Sequence, residues 1–320
     1  MPTPPYVVGI DLGGTNMQIG VLDATRTIIG RSKAKTKADK GGDAVVERMA
    51  EAVEEACEKA GIKPKELAGI GVGAPGAIDM ATGVVLEAPN LRWDHMPLGE
   101  RLSKLLANRP VLIDNDVNVA VYGENIMGAG ENARDVLGVW IGTGIGGGLV
   151  LNGALYYGSL GTAGEIGQAI LFPGAPLGSR TLEQNCSRKH VVSRLLRLID
   201  ANHKSILLDL NDGEKDDIGA SVVAEAYRRA DPLVVQVLDE VAVMMCTAIS
   251  AYVTVLSLPM VILGGGLSEA MGQPFADRVA AAMKPHVFPR ALQSCRVMTT
   301  RLADDAGLLG AALLAKEKFA

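Results

Sequence analysis

Aromatic side chains are scarce in this chain of 320 residues, since Phe, Trp and Tyr together make up only 4%. Because 48% of the residues are nevertheless apolar, the core must be built from Val, Leu, Ile, Ala and Met rather than from rings. The length suits two domains on the usual scale of roughly 100 to 200 residues each. The 38 glycines, among many alanines and valines, indicate an α/β fold.

The chain also lacks a basic block, a leader-like start and any close pair of cysteines. Its 31 Lys and Arg against 36 Asp and Glu give a net charge of −5, which argues against nucleic acid as the main partner. The start "MPTPPYVVGI" has no basic segment before an apolar one, so we expect no signal peptide. Without a Cys-x-x-Cys pair, neither a disulfide framework nor a zinc knuckle is indicated. We expect free thiols in a reducing cytoplasm.

One long uncharged segment, Val241 to Leu263, has the length of a membrane span. Pro259 divides it, an Asp-Glu pair precedes it, and three glycines follow at once. We interpret it as a buried helix that leads into a buried parallel strand, and we expect no membrane partner.

Strand-like and helical segments alternate along the chain, which indicates a mostly parallel sheet with helices on its faces. The opening pattern, an apolar run, a Gly/Thr turn and a second apolar run, recurs at Val136 to Gly153, so the chain looks duplicated. We predict a smaller α/β domain at residues 1–118, completed by a C-terminal helix at about 303–320. A larger α/β domain is predicted at residues 119–302.

The first turn joins a carboxylate to a set of exposed backbone amides: Asp11 precedes Gly13, Gly14, Thr15 and Asn16. Glycines let main-chain N–H groups approach a ligand closely, and such a concave set suits a phosphate. A carboxylate would repel bare phosphate, so Asp11 is explained if it faces hydrated Mg²⁺ on that phosphate. The alternative is a plain hairpin turn in which Asp11 is a local cap.

Two further glycine turns favour a nucleotide. Thr143 and Gly144 lie in the second turn. Each half of the chain thus has one phosphate-type turn, as a nucleotide held between two duplicated domains would need. The glycine run 264–266 would let adenine or ribose lie on backbone, although a tight strand-to-helix turn is the better explanation of that run taken alone. Neither a GxxxxGK[ST] loop nor a GxGxxG after the first strand is present, which disfavours P-loop and dinucleotide folds.

Polar residues end the strand in "LIDNDVNVA", where Asn115 and Asp116 follow an apolar run. Side chains at the carboxyl ends of strands in open α/β sheets point to the usual ligand site. One aspartate can accept the proton of an attacking hydroxyl and align its oxygen, so Asp116 is the candidate base. The alternative is that these residues cap the following helix.

Other carboxylates and amides suit sugar hydroxyls. Glu165, between two glycines, is a natural acceptor from neighbouring hydroxyls, and Glu183 and Asn90 are further candidates. For the last two a plain surface role is at least as reasonable. No HExxH spacing and no GxSxG motif occurs, so neither a catalytic metalloenzyme nor a serine hydrolase is indicated.

Taken in order, "GIDLGGTN", "PNLRW", "NDVN", "IGTGIGGG", "GEIGQ" and "ILGGG" resemble the bacterial ROK (repressor/ORF/kinase) sugar kinases of the actin-like ATPase superfamily. The resemblance covers nearly the whole chain. It implies two ribonuclease-H-like domains around a nucleotide and sugar cleft, Mg²⁺-ATP as cofactor, and a homodimer. Asp116 would be the base, with hexose held by the substrate-binding set Gly76, Asn90, Asn115, Asp116, Glu165, Gln168 and Glu183. Phosphates, Mg²⁺ and nucleoside would face Asp11, Gly13, Gly14, Thr15, Asn16, Thr143, Gly144, Gly264, Gly265 and Gly266.

The sequence departs from the family at one place. Members usually carry a histidine after "GEIG" and a cysteine-rich run that together hold a structural zinc. Here Gln168 takes the histidine position, and Gly174, Pro176 and Thr181 stand where thiolates would be. We therefore expect no structural zinc. Because that histidine also contacts sugar in typical members, Gln168 leaves the sugar preference open.

The resemblance implies a glucokinase that phosphorylates glucose to glucose 6-phosphate in the cytoplasm. Alternatives keep the chemistry but change the molecules: an N-acetylhexosamine, fructose or allose as acceptor, or polyphosphate as donor. A non-catalytic sugar-sensing regulator is a third option. Regulators of this family carry a helix-turn-helix before the sugar domain, and the first phosphate motif here begins at about residue 8, so we expect no such segment.

Overall fold

The computed structural model describes residues 4–320 and divides the chain into two compact units. Unit 1 contains the described residues up to Glu131 together with Tyr157–Ala163 and Asp304–Ala320, and unit 2 contains Asn132–Tyr156 and Gly164–Ala303. The boundary lies at Glu131 instead of the predicted residue 118.

Among residues 4–320 the strands form three sheets. Their bounds are β1 Tyr6–Leu12, β2 Asn16–Leu22, β3 Ile28–Lys35, β4 Leu67–Ala74, β5 Ala77–Asp79, β6 Val84–Ala88, β7 Trp93–Met96, β8 Val111–Asn115, β9 Val136–Ile141, β10 Ile145–Leu151, β11 Ala154–Leu155, β12 Met260–Gly264 and β13 Arg296–Thr299. The α-helices are α1 Gly42–Ala60, α2 Leu98–Leu105, α3 Asp116–Met127, α4 Glu183–Cys186, α5 Arg188–Asp200, α6 Ala220–Arg228, α7 Pro232–Leu256, α8 Gly266–Met271, α9 Gln273–Met283 and α10 Ala306–Phe319.

Unit 1 is built on a five-stranded sheet with the order β3-β2-β1-β4-β8. β1 pairs antiparallel with β2 and parallel with β4, and β8 lies parallel to β4. Helix α1 packs against β2 and β3, whereas α10 packs against β1, β4 and α3. The approach of α10 is close, since a Cβ on Gly71 would lie 1.9 Å from the carbonyl oxygen of Ala311. Because α3 packs along α10, the whole of α3 belongs to unit 1, which explains the later boundary.

Unit 2 repeats the pattern, with the sheet order β11-β10-β9-β12-β13. β9 pairs antiparallel with β10 and parallel with β12, as β1 does with β2 and β4. The duplication seen in the sequence is therefore a repeat of sheet topology. Both units are α/β, as predicted.

The long uncharged segment forms most of α7 and then β12, as the interpretation of a helix followed by a strand predicts. By length and composition α7 could cross a membrane, but 61% of its most apolar 18-residue stretch is buried. The buried side of α7 belongs to the hydrophobic core of unit 2. Such burial is typical of a core helix.

Candidate active site

Asp116 is the first residue of α3 and directly follows strand β8. The side chain of Asn115 caps this helix, because its Oδ1 accepts hydrogen bonds from the backbone N–H groups of Val117 (2.9 Å) and Asn118 (3.2 Å). The capping alternative is therefore correct for Asn115. A cap also fixes the strand-to-helix turn, so it places Asp116 at the carboxyl end of β8 as the sequence predicts.

A buried carboxylate supports this turn. Asp114, only 2% exposed, accepts hydrogen bonds from the backbone N–H of Asn115 (2.7 Å), from Asn118 Nδ2 (3.3 Å) and from the hydroxyl of Tyr157 (2.7 Å). Burial raises the pKa of Asp114, and these three hydrogen bonds oppose the rise. Sequence reasoning missed Tyr157, because no local pattern connects it to a strand 43 positions earlier.

Gly76 lies beside Asn115, since the amide Nδ2 of Asn115 donates to the carbonyl oxygen of Gly76 at 3.3 Å. Gly76 has a φ of +102°, a conformation that favours glycine. The structure therefore brings these two predicted substrate-binding residues together in unit 1.

The first glycine turn joins β1 to β2. Gly13 N–H donates to the carbonyl oxygen of Asn16 at 3.0 Å, and the hydroxyl of Thr36 donates to the carbonyl oxygen of Gly13 at 2.6 Å. Gly14 and Thr15 are exposed at the tip. Asn90 lies beside this tip, because a Cβ on Gly14 would be 3.8 Å from the Cβ of Asn90. A predicted sugar residue and the predicted phosphate turn are thus neighbours.

Asp11 carries the most perturbed carboxyl group of this region. Its pKa is raised to about 7, first by burial and then by the negative charges of Asp116 and Asp304. Asp304 was not foreseen, because it lies at the far end of the sequence. One divalent cation beside Asp11 would offset the negative charges of Asp116 and Asp304 that act on it.

Within residues 4–320, no group of three or more His, Cys, Asp and Glu side chains could hold a metal ion. Mg²⁺ usually keeps several waters and binds through one or two carboxylates and substrate phosphates, and Asp11 can supply one such carboxylate.

The second glycine turn joins β9 to β10 in unit 2. Gly142 N–H donates to the carbonyl oxygen of Gly144 at 2.9 Å, and Thr143 is exposed at the tip. The carboxylate of Glu183 accepts from the backbone N–H of Ile145 at 2.8 Å. A Cβ on Gly144 would lie 2.5 Å from Glu183 Oε2, so a larger residue at this position would displace the carboxylate. The structure thus places Glu183 against a phosphate-type turn, a contact that the sequence does not reveal.

Glu165 and Gln168 lie close together at a short 3₁₀ turn in unit 2, where Gln168 N–H donates to the carbonyl oxygen of Glu165 at 3.1 Å. The pKa of Glu165 is raised, first by partial burial and then by the negative charge of Glu183. Three predicted sugar residues, Glu165, Gln168 and Glu183, therefore share one region of unit 2.

The third glycine run ends β12 and begins α8. Gly265 has a φ of +82°, and its N–H donates to the carboxylate of Glu269 at 3.0 Å. The strand-to-helix turn foreseen as the alternative is therefore present. That turn still leaves backbone of Gly264, Gly265 and Gly266 at a strand end, where the sequence predicts a nucleoside.

The site residues divide between the units. Unit 1 carries Asp11, Gly13, Gly14, Thr15, Asn16, Gly76, Asn90, Asn115 and Asp116, and unit 2 carries Thr143, Gly144, Glu165, Gln168, Glu183, Gly264, Gly265 and Gly266. Two α/β units with the same sheet order, each with a Gly/Thr hairpin turn, define the class of the actin-like ATPases.

The family follows from comparison with known proteins. The model of the ROK family matches residues 7–318, and the chain belongs to that family. It is 30% identical to a glucokinase of Halalkalibacterium halodurans, over 98% of this chain and 96% of the other. A ROK family glucokinase from Streptomyces griseus, solved with glucose and AMPPNP, matches with a TM-score of 0.84 at 30% identity, over 98% and 99% of the two chains. A xylose repressor of Caldicellulosiruptor bescii is 26% identical over 95% of this chain and 76% of the repressor.

Proposed function

We propose that this protein is an ATP-dependent glucokinase that transfers the γ-phosphoryl group of ATP to the primary hydroxyl of glucose. The observation that carries the proposal is the position of Asp116 at the carboxyl end of β8, with Asp11 and the first glycine turn in the same unit. Glucokinase relatives at about 30% identity over nearly the full chain support the same substrate and donor.

In the proposed reaction, the hydroxyl oxygen of the sugar attacks the γ-phosphorus while Asp116 accepts the hydroxyl proton. The bond from the γ-phosphorus to its bridging oxygen breaks, and ADP leaves. Mg²⁺ held near Asp11 would supply charge neutralisation on the phosphate oxygens. Backbone amides of the glycine turns would align the same oxygens, and they need no reorganisation during the reaction.

Hydroxyl recognition is proposed for carboxylate and amide side chains. In unit 1 these are Asn90 and Asn115, with Gly76 beside the latter, and in unit 2 they are Glu165, Gln168 and Glu183. A carboxylate accepts from two adjacent hydroxyls, and an amide both donates and accepts. The exposed position of Glu165 and the proximity of Glu183 support this assignment.

Glu165→Gln is expected to raise the KM for glucose by about 10-fold or more, as the loss of a charge-assisted hydrogen bond implies, with a smaller change in kcat. Steady-state kinetics with glucose varied at saturating ATP measure the changes in KM and kcat separately. Glu214→Gln, at an exposed carboxylate in the same unit, is the matched control. An unchanged KM for glucose in Glu165→Gln would remove Glu165 from the sugar contacts.

The function itself is tested by a coupled ADP-release assay on a panel of sugars. The panel contains glucose, mannose, fructose, allose, N-acetylglucosamine and N-acetylmannosamine, each with Mg²⁺-ATP. In a parallel series with polyphosphate, the formation of sugar phosphate is measured instead, because that donor releases no ADP. Strong turnover of glucose with ATP is the expected result. Turnover of another sugar would contradict glucose as the substrate and make Gln168 the first residue to mutate for sugar preference. Binding of glucose without turnover would indicate a sugar sensor instead of a kinase.

We also propose that the protein is a homodimer that uses the exposed side of α7. Four residues at intervals of four, Val243, Thr247, Ala251 and Val255, are exposed and uncharged. Val243 is 57% exposed and Val255 is 79% exposed. An uncharged helix face three turns long is unusual for a surface in water, and pairing with a second copy would bury it.

Val255→Glu is therefore expected to shift the protein from dimer to monomer, because it places a charge in the proposed interface. Size-exclusion chromatography with light scattering measures the mass directly. Leu105→Glu, an exposed position of α2 in unit 1, is the control that adds the same charge elsewhere. A monomeric wild-type protein would contradict the proposal.

The thiols support a role in a reducing compartment, and we propose the cytoplasm. Cys57, Cys186, Cys246 and Cys295 are all buried and free. Burial raises the pKa of Cys57 and of Cys186 to about 12, so these thiols are unreactive near neutral pH.

A further inference from the structure

An arginine lies against the second glycine turn. Arg188 is the first residue of α5 and is half-buried. Its backbone N–H donates to the carbonyl oxygen of Gly142 at 3.0 Å, and its Nη2 donates to the hydroxyl of Thr143 at 3.2 Å. The main chain and the side chain of Arg188 are therefore both attached to the turn that would face phosphate.

The same guanidinium reaches towards the third turn within unit 2. Nη1 of Arg188 donates to the carbonyl oxygen of Ile218 at 3.3 Å, just before α6 begins. A Cβ on Gly266 would lie 3.9 Å from the Cβ of Ala220, the first residue of α6. Arg188 is thus placed between the segment proposed for phosphates and the segment proposed for the nucleoside.

The electrostatics of this position indicate an anionic ligand. A cation in the first turn of a helix is unfavourable, because the helix dipole is positive there. Among the described residues, the side-chain partners of Arg188 are the neutral oxygens of Thr143 and Ile218. A guanidinium has five donors, so several remain for a ligand.

The carboxylate of Glu183 lies at the same turn. Glu183 occupies the backbone N–H of Ile145 at the same turn, and its negative charge would repel an arriving phosphate. Arg188 supplies positive charge at that turn, and a planar guanidinium can bind phosphate oxygens in pairs.

We propose that Arg188 binds the phosphate chain of the nucleoside triphosphate and makes donor affinity depend on the number of phosphates. This inference rests on the proposed function, because it assumes a nucleotide donor at the second and third turns. Arg188 is then a determinant of donor specificity, distinct from the residues that recognise sugar.

The test compares Arg188→Ala and Arg188→Lys with the wild type in calorimetric titrations of ATP, ADP and AMP. We expect Arg188→Ala to weaken the binding of ATP by about 10- to 100-fold, which is the size of a lost hydrogen bond to a charged group. The binding of AMP should weaken by much less. Lysine keeps the positive charge but lacks the paired donors of the guanidinium, so the ATP affinity of Arg188→Lys should lie between those of the wild type and Arg188→Ala. The KM for glucose should change by less than about 2-fold, since no sugar contact is removed.

Arg197→Ala, on the same helix α5, is the matched control. Equal weakening of ATP and AMP in Arg188→Ala would show a structural role for the arginine and overturn the inference, as would an unchanged ATP affinity. Wild-type protein that binds ATP but phosphorylates no sugar would defeat the proposed function, while the nucleotide titrations would still decide the role of Arg188.

Discussion

Replacement of Asp116 by asparagine is expected to leave a folded protein that binds glucose but turns over at least about 100-fold more slowly, the low end of general-base contributions. The amide cannot accept the hydroxyl proton at neutral pH, whereas its oxygen keeps the size and position of the original. The carboxylate Oδ1 of Asp116 accepts from the backbone N–H of Val117 at 2.9 Å, and an amide oxygen can replace it there. The start of α3 should therefore be preserved.

Steady-state kinetics and glucose titration of Asp116→Asn separate chemistry from binding. Asp39→Asn, an exposed aspartate of unit 1, is the control for the loss of one negative charge. A kcat within a few-fold of the wild type would show that another group accepts the proton.

Replacement of Asp11 by asparagine is expected to raise thermal stability while it reduces kcat by about 100-fold or more, because charge neutralisation at the phosphates is lost. The stability gain follows from burial and from the repulsion by Asp116 and Asp304, which together raise the pKa of Asp11 to about 7. Since the folded protein holds this proton more tightly than the unfolded chain, the carboxyl group favours folding at acidic pH. That contribution is lost as the pH rises through about 7.

Thermal unfolding of the protein freed of metal with EDTA tests this prediction. At pH about 8 the asparagine variant should unfold at a higher temperature than the wild type, and the difference should shrink as the pH falls towards about 4, where the unfolded chain also holds the proton. Addition of Mg²⁺ and ATP should stabilise the wild type more than the variant. Asp39→Asn is again the control, and equal unfolding temperatures at pH about 8 would contradict the prediction.

Sequence reasoning identified the elements that depend on local pattern. The α/β class, the two glycine hairpins and the family follow from apolar periodicity and from short motifs that keep their order. The start of the helix at Asn115 and Asp116 could also be predicted, because an N-cap is a local feature of the sequence.

Contacts between residues far apart in the sequence could not be predicted in the same way. The contact of Glu183 with Ile145 joins residues 38 positions apart, and Asp304 influences Asp11 from the other end of the chain. Tyr157 belongs to a short segment that returns to unit 1 from within the sequence of unit 2. Such contacts depend on the path of the chain in space, which no spacing rule records.

The packing of α10 also bears on the order in which the chain folds during synthesis. Helix α10 covers β1 and β4, yet of all the elements described it is the last to leave the ribosome. Until then the surface around Gly71, which accepts the backbone of Ala311, lacks the cover of this helix. Unit 1, whose strands are made first, is thus completed only after unit 2 has been made, and β1 and β4 stay partly uncovered in the nascent chain until α10 packs on them.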